Sequence, residues 1–388
     1  MLKVCPVCRS KEIDEIVYIS AVPALANVLW SDQERAVSAK KGDICLVICR
    51  NCSFIFNSAY DPDLVDYDCC YENSLHCSNT FNGYCERLAS DLSQRLHLKD
   101  KTIIEIGCGQ GQFLSMLQHA GDNLAIGFDP SYRGAEPEEH DKTKIYTCIF
   151  PPKHPLEQEP DFLCCRHVLE HIFEPEAFVE EVTAAAKPRC KLYFEVPNAN
   201  YMLRLPGIWD LLYEHFAYYT TTALKYLFLS AGCENIQVTE RFYDQYLGLE
   251  AYTGKKRLST NCQPQTHQIV TSAQKFGKAY KEKVQEWAKY LDSLVSKGEK
   301  VIIWGAGAKG IMFLNFLGMD YRTVPFITDI NPAKHGCFLT GSGQMVIPPE
   351  ELTSYRPDKV IIMNPAYKNE IEADLQRMDL HKAQILIA

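Results

Sequence analysis

Four groups of residues in this chain combine types and spacings that carry chemistry. The first is Glu105-Ile-Gly107-Cys108-Gly109-Gln-Gly111-Gln-Phe113, an acid followed by three glycines spaced GxGxG. Glycine lets a backbone turn sharply and lets a ligand lie against the main chain. The third glycine falls one residue short of the GxGxxG dinucleotide spacing. Asp129 closes an apolar run 22 positions after Gly107. A doubly wound nucleotide fold places there the carboxylate that accepts from ribose hydroxyls. The second group is a pair of CxxC knuckles, Cys5/Cys8 and Cys49/Cys52. Two such knuckles complete a tetrahedral four-thiolate zinc site, and a site with no open position is structural. The bland alternative is four reduced cysteines in a small core. The third group is histidine-bearing: Arg166-His167-Val-Leu-Glu-His171 and Tyr213-Glu214-His215. Imidazole titrates near neutrality and suits proton transfer. A histidine at 215 equally suits a structural role, positioning the helix after it. The fourth is Gly305-Ala-Gly307-Ala-Lys309-Gly310, a true GxGxxG, with Asp329 24 residues beyond Gly305. Lys309 at a helix N-terminus suits a phosphate or diphosphate. The alternatives are an NAD-binding turn and a half-fold that binds nothing and braces its neighbour.

The elements that position these groups are legible as periodicities. Ile103–Ile106, 124–129, 144–149, 161–165 and 191–198 read as successive strands of an α/β sheet, with a helix over 112–120. The His167–His171 run then lies at the carboxyl edge of the sheet, where ligands bind in such folds. Asn198 ends the fifth strand. An amphipathic helix spans 222–230. The stripe Phe276, Tyr280, Val284, Trp287, Leu291 and Leu294 predicts a long helix or a helical pair over 264–297. Tyr60–Ser90 is crowded with tyrosines and polar residues, Tyr67 and Tyr71 among them, and reads as a lid or as a connector packed on the next domain. The fold class is α/β. Residues 1–60 form a small zinc module, 61–90 the connector, 91–255 the central domain, 256–298 a helical linker and 299–388 a C-terminal half-Rossmann domain.

Bulk properties bound the partners. A 388-residue chain holds two or three domains. A net charge of −9 argues against a nucleic-acid partner. No apolar run approaches the roughly 20 residues that span a bilayer, and the first ten residues lack a signal-peptide pattern. Seventeen cysteines without an export signal predict a reducing cytoplasm, with thiols available to metal. A monomer or weak oligomer is expected.

The GxGxG turn with its downstream Asp129 resembles the S-adenosylmethionine (SAM) site of class I methyltransferases. The order of the modules (zinc knuckles, GxGxG domain, GAGAKG half-Rossmann domain) resembles the sugar C-methyltransferases that act on nucleotide-linked 4-keto-deoxysugars. The resemblance covers essentially the whole chain, and the order is more specific than any single motif. It implies SAM as cofactor and structural Zn2+. It implies binding of SAM by Glu105, Gly107, Cys108, Gly109, Gly111, Phe113, Asp129, Arg166 and His167. It implies catalysis at C3 by His215 as base, with Glu214, His171, Tyr67 and Tyr71 around it, and His171 or a tyrosine stabilising the enolate oxygen. Lys309, Asn198 and Tyr213 are then expected on the nucleotide sugar. The rival readings are an O- or N-methyltransferase on another small molecule, with His215 structural, and a non-catalytic zinc-containing binding protein.

Overall fold

The computed structural model describes residues 1–66, 71–72, 74–135, 137–138, 141–152, 159–254 and 266–388. Alternating apolar residues build β1 (Ile13–Pro23) and β2 (Lys41–Cys49), which pair antiparallel, and β2 pairs with the short β3 (Ile55–Asn57). The central part holds β4 (Thr102–Ile106), β5 (Leu124–Phe128), β6 (Thr143–Tyr146), β7 (Phe162–Arg166) and β8 (Lys191–Pro197). After them come β9 (Ala217–Tyr218) and the hairpin β10 (Glu234–Arg241) and β11 (Tyr246–Tyr252). The central sheet runs β10-β11-β8-β7-β4-β5-β6; β8 to β6 are parallel, and the hairpin is antiparallel. Ile103, Ile104, Leu163 and Phe162 are fully buried, as expected for parallel strands covered on both faces. Chain order reverses between β4 and β7, which makes the crevice beyond their carboxyl ends the switch point where such sheets take ligands.

β9 does not join the central sheet. It pairs antiparallel with β3 and completes the N-terminal sheet, β1-β2-β3-β9. A strand from the middle of the chain is thus held by the cysteine-bearing module. The C-terminal sheet is wholly parallel: β12 (Val301–Trp304), β13 (Phe326–Thr328), β14 (Met345–Ile347), β15 (Lys359–Ile362) and β16 (Gln384–Ile387), ordered β14-β13-β12-β15-β16. The long helix is Thr266–Ser296. Its Gly277 lies so close to β1 that a Cβ there would stand 2.0 Å from the Ile16 carbonyl oxygen. Farther along, Trp287 packs edge-on against Phe313 of the C-terminal domain, ring centroids 5.4 Å apart. The helix therefore ties the first sheet to the last. Among the described residues no helix is long and apolar enough to cross a membrane.

Two sequence expectations need correction. The third strand stops at Tyr146, and Ile149 is 74 % exposed rather than inside a strand. The segment around 80 is helical: Asn79–Arg95 forms a helix N-capped by Ser78, whose hydroxyl accepts from the Phe81 amide. It buries Phe81, Tyr84, Cys85, Leu88, Ala89 and Leu92. That spacing is itself helical, but the tyrosine-rich run before it drew the eye away.

Candidate active site

The GxGxG turn leaves β4 at Ile106. Gly107, Gly109 and Gly111 have φ of +68°, +55° and +83°, values that carry little cost only for glycine. A Cβ on Gly107 would strike Val168 Cγ2 at 2.1 Å, whereas nothing lies within 4 Å of the position a Cβ would take on Gly109. The first contact shows that the glycine turn touches the turn after β7. The second leaves open space over the main chain. Asp129 closes the turn: its Oδ2 accepts from the Gly109 amide at 2.7 Å, and Oδ1 accepts from the Ser131 amide and hydroxyl at 2.8 and 2.6 Å. Glu105 is buried, and burial raises its carboxyl to about 7 although Arg166 draws it down. Its Oε2 has no partner among the described residues. An open glycine cradle, a strand-end aspartate and a buried acid fit a nucleoside ligand such as SAM.

Phe113 is buried, and the Arg166 guanidinium sits 4.1 Å over its ring. Arg166 pairs with Glu195 at 2.9 Å, and Glu195 also accepts from Tyr84 and, at 2.7 Å, from Tyr193. Of these two residues expected on the cofactor, Phe113 packs against the Arg166 guanidinium and Arg166 pairs with Glu195. Cys108 is also buried, its thiol turned toward Gly127. His167 has φ +55° and lies between two carboxylates, Nε2 3.3 Å from Glu195 and Nδ1 3.7 Å from Glu170. Burial opposes its charge, but the neighbouring carboxylates of Glu170 and Glu195 win and lift it to about 8. Tyr246 packs edge-on against the ring at 4.5 Å.

From this turn the chain reaches His171, whose ring meets His215 edge to face at 4.8 Å. The His171 Nδ1 lies 3.0 Å from the Glu214 carbonyl oxygen. A carbonyl only accepts, so the hydrogen is on Nδ1 and neutral His171 presents Nε2 as an acceptor. Burial keeps His171 below the usual imidazole range. The expected role of His171 as a donor to an enolate oxygen is therefore not served by this tautomer. Glu214 is buried; its Oε2 accepts from the Ala26 amide at 3.2 Å and its Oε1 from the Tyr71 hydroxyl at 3.1 Å. Burial raises Glu214 to about 7. Burial, and then His171 beside it, lowers His215 to about 3. Tyr71, His171, Glu214 and His215 thus come together from three segments. Tyr67 lies outside the described residues. Glu170, which sequence reading passed over, belongs with them: one ligating atom each of Glu170, His171 and His215 lie within 4.8 Å of one another. The only sequence signal for it was an acid adjoining His171.

Three residues expected on the substrate have partners within the chain. Asn198 is buried and its side chain is consumed by the Asn200 amide, Glu240 and the Asp244 carbonyl. Tyr213 is 1 % exposed, stacked on Tyr60 at 5.4 Å, with its hydroxyl accepting from the Asp61 amide. Lys309 pairs with Asp210 at 2.9 Å, so its charge is already met within the chain. The GAGAKG turn repeats the acid-and-amide closure of the first turn, and a Cβ on Gly305 or Gly307 would meet nothing within 4 Å. Asp329 accepts from the Ala306 amide at 2.7 Å, and the buried Lys334 donates to the Ala306 carbonyl at 3.0 Å and lies 3.6 Å from Asp329.

The four knuckle cysteines gather with all four sulfurs within 4.8 Å of one another. Cys5–Cys52 and Cys8–Cys49 separations are 3.6 and 3.4 Å, near the roughly 3.8 Å edge of a tetrahedron with Zn–S bonds of about 2.3 Å. Cys45 stays outside the group, near Glu15. The knuckles reach the histidines through β3 and β9: Phe56 pairs with Ala217, the Asn57 amide donates to the Phe216 carbonyl at 2.9 Å, and the Ser53 and Thr220 hydroxyls are 3.1 Å apart.

Residues 80–238 match a family described as a methyltransferase domain, and residues 258–388 one described as a C-methyltransferase C-terminal domain. The C-methyltransferase NovU of Streptomyces niveus is 22 % identical over 389 aligned positions, covering 95 % of this chain and 90 % of that protein. A ubiquinone biosynthesis O-methyltransferase of Hydrogenovibrio crunogenus is 28 % identical over 123 positions, 30 % of this chain and 51 % of that protein. Among solved structures, the 1,6-didemethyltoxoflavin-N1-methyltransferase of Burkholderia thailandensis aligns with a TM-score of 0.35 at 14 % identity, covering 46 % of this chain and 82 % of that one. The chain is a SAM-dependent methyltransferase. Its likeness to a C-methyltransferase runs nearly end to end, whereas the likeness to O-methyltransferases is confined to less than a third of it.

Proposed function

We propose that this enzyme methylates carbon: it removes the C3 proton of a nucleotide-linked 4-keto-deoxysugar and alkylates the resulting enolate at C3. The observation that supports it best is the His171–His215 pair, ring centroids 4.8 Å apart, at the end of the turn that touches the glycine cradle. A proton α to a ketone is within reach of a positioned imidazole when the enolate oxygen is stabilised. In this reading His215 takes the C3 proton, the C–H electron pair moves into the enolate, and the negative charge rests on the C4 oxygen. The Tyr71 hydroxyl, which donates to Glu214 at 3.1 Å, serves that oxygen by turning its hydrogen from Glu214 to it. Gly107–Gly111 and Asp129 hold the cofactor, which supplies an electrophilic methyl group. The chain's task is to keep that methyl in line with C3 and to exclude water. We further infer that Cys5, Cys8, Cys49 and Cys52 hold a structural Zn2+, because their sulfur spacing fits it.

The test is to incubate the enzyme in D2O with a panel of nucleotide-linked 4-keto-deoxysugars and follow C3 by NMR. Exchange of the C3 proton without SAM, and a C3-methylated product with it, is expected. Neither exchange nor product across the panel overturns the reading. An O- or N-methyltransferase would show neither exchange nor dependence on His215.

A further inference from the structure

The base proposed above becomes a cation when it takes a proton, and something must meet that charge. His171 cannot: neutral, with its hydrogen on Nδ1 toward the Glu214 carbonyl, it turns a lone pair toward the cluster. Glu214 cannot either, since both its oxygens already accept from other groups, Ala26 and Tyr71. The remaining acid is Glu170. It is 2 % exposed, its Oε1 lies toward His167, and its Oε2 has no hydrogen-bond partner among the described residues. One of its oxygens is within 4.8 Å of a ring nitrogen of His215.

We propose that Glu170 is the positioning carboxylate of His215: it accepts the ring's N–H, leaves the opposite nitrogen's lone pair facing the substrate, and balances the imidazolium that forms. The proposal rests on the reading of His215 as the base. It gives the turn after β7 a single logic. His167, held between Glu195 and Glu170, keeps the Glu170 carboxylate ionised in a buried place, and the carboxylate then serves His215. Burial works against that ionisation, but the protonated His167 beside it holds Glu170 below its ordinary value. The groups facing Glu170 are these three histidines, the Tyr219 hydroxyl at the end of β9 and the Cys165 thiol of β7. Those facing His215 are Glu170, His171 and His167 from the turn after β7 and Tyr218 from β9. In the reaction the C3–H bond breaks, an N–H bond forms on His215, and the proton stays there until solvent or product takes it. Glu170 changes neither bonding nor charge.

Glu170→Gln keeps the shape and removes the charge. We expect its C3 exchange rate to fall by about 100-fold, in kcat with KM unchanged. Glu170→Asp keeps the charge and should recover much of the loss. A readout that needs no substrate is the 15N spectrum of histidine-labelled protein at neutral pH, whose ring shifts report which nitrogen of His215 carries the hydrogen. One tautomer should dominate in the wild type and in Glu170→Asp, and the preference should be lost in Glu170→Gln. Unchanged kcat together with an unchanged tautomer in Glu170→Gln overturns the proposal. If the wild type exchanges no keto sugar, the functional reading fails, and the tautomer result still decides whether Glu170 positions His215. Unfolding midpoints of both variants separate a lost charge from a lost fold.

Discussion

At the scale of single residues the site divides into groups that face a ligand and groups that hold them. In the proposed reaction His215 is in the first class: partly exposed, neutral, with an imidazole lowered to about 3 by burial and by His171. His215→Asn should reduce C3 exchange by at least about 100-fold with KM little changed, measured by initial rates in D2O. His167 is in the second class, and its signature is a pH dependence. Its folded value is about 8, above the unfolded value near 6.5. The stability it contributes is therefore fully present below about pH 6.5 and is lost as pH rises through about 8. The difference in unfolding free energy between wild type and His167→Gln should be largest below pH 6.5 and shrink toward pH 9; a difference that grows with pH would refute the assignment.

At the scale of elements, two devices are testable. The glycine turn joins β4 to the turn after β7. Gly109→Ala places a methyl where a ligand should lie and forces an L-residue to φ +55°. It should weaken SAM binding at least about tenfold by calorimetry while costing stability only about 1–2 kcal/mol. Gly107→Ala should cost more stability, because its Cβ meets Val168 inside a packed contact. The second device is the β3–β9 pairing, which hangs the His215 segment on the cysteine knuckles. Stripping metal with a strong chelator should therefore abolish C3 exchange along with loosening the N-terminal sheet, and Zn2+ should restore both. Activity that survives complete metal removal would uncouple the knuckles from the site.

At the scale of the whole molecule, the modules share their interiors. One apolar cluster runs from Val17 and Ile44 through Trp209 and Phe276 to Phe313 and Ile327, and another joins Cys49 and Phe54 to Leu163 and Phe216. The C-terminal domain also reaches the helix Asn79–Arg95, where Glu370 accepts from the Ser78 hydroxyl at 2.7 Å and from the Asn79 amide at 3.0 Å. Within such a body Lys309 acts as an internal tie to Asp210. Lys309→Ala should cost about 1 kcal/mol or less, since the pair is partly exposed. It should leave KM for a nucleotide sugar within about twofold. A large rise in KM would reinstate the diphosphate contact that the sequence suggested.

Local signals in the chain were enough for what depends on local backbone. The GxGxG turn, its strand and helix, Asp129 at the next strand end and the two CxxC knuckles are short-range patterns, and each is read from neighbours a few residues apart. The apolar stripe marked helix over 264–297 in the same way, as one long helix or a pair, and the structure has one. What the tertiary structure decided is which polar side chains are already satisfied. Arg166, Asn198, Tyr213 and Lys309 looked free in the sequence because their partners Glu195, Glu240, Asp61 and Asp210 are distant in the chain or disguised among other acids. Glu170 was overlooked for the converse reason. A buried acid with an unmet oxygen beside His215 exists only after β9 has paired with β3 and carried that histidine across to the turn after β7.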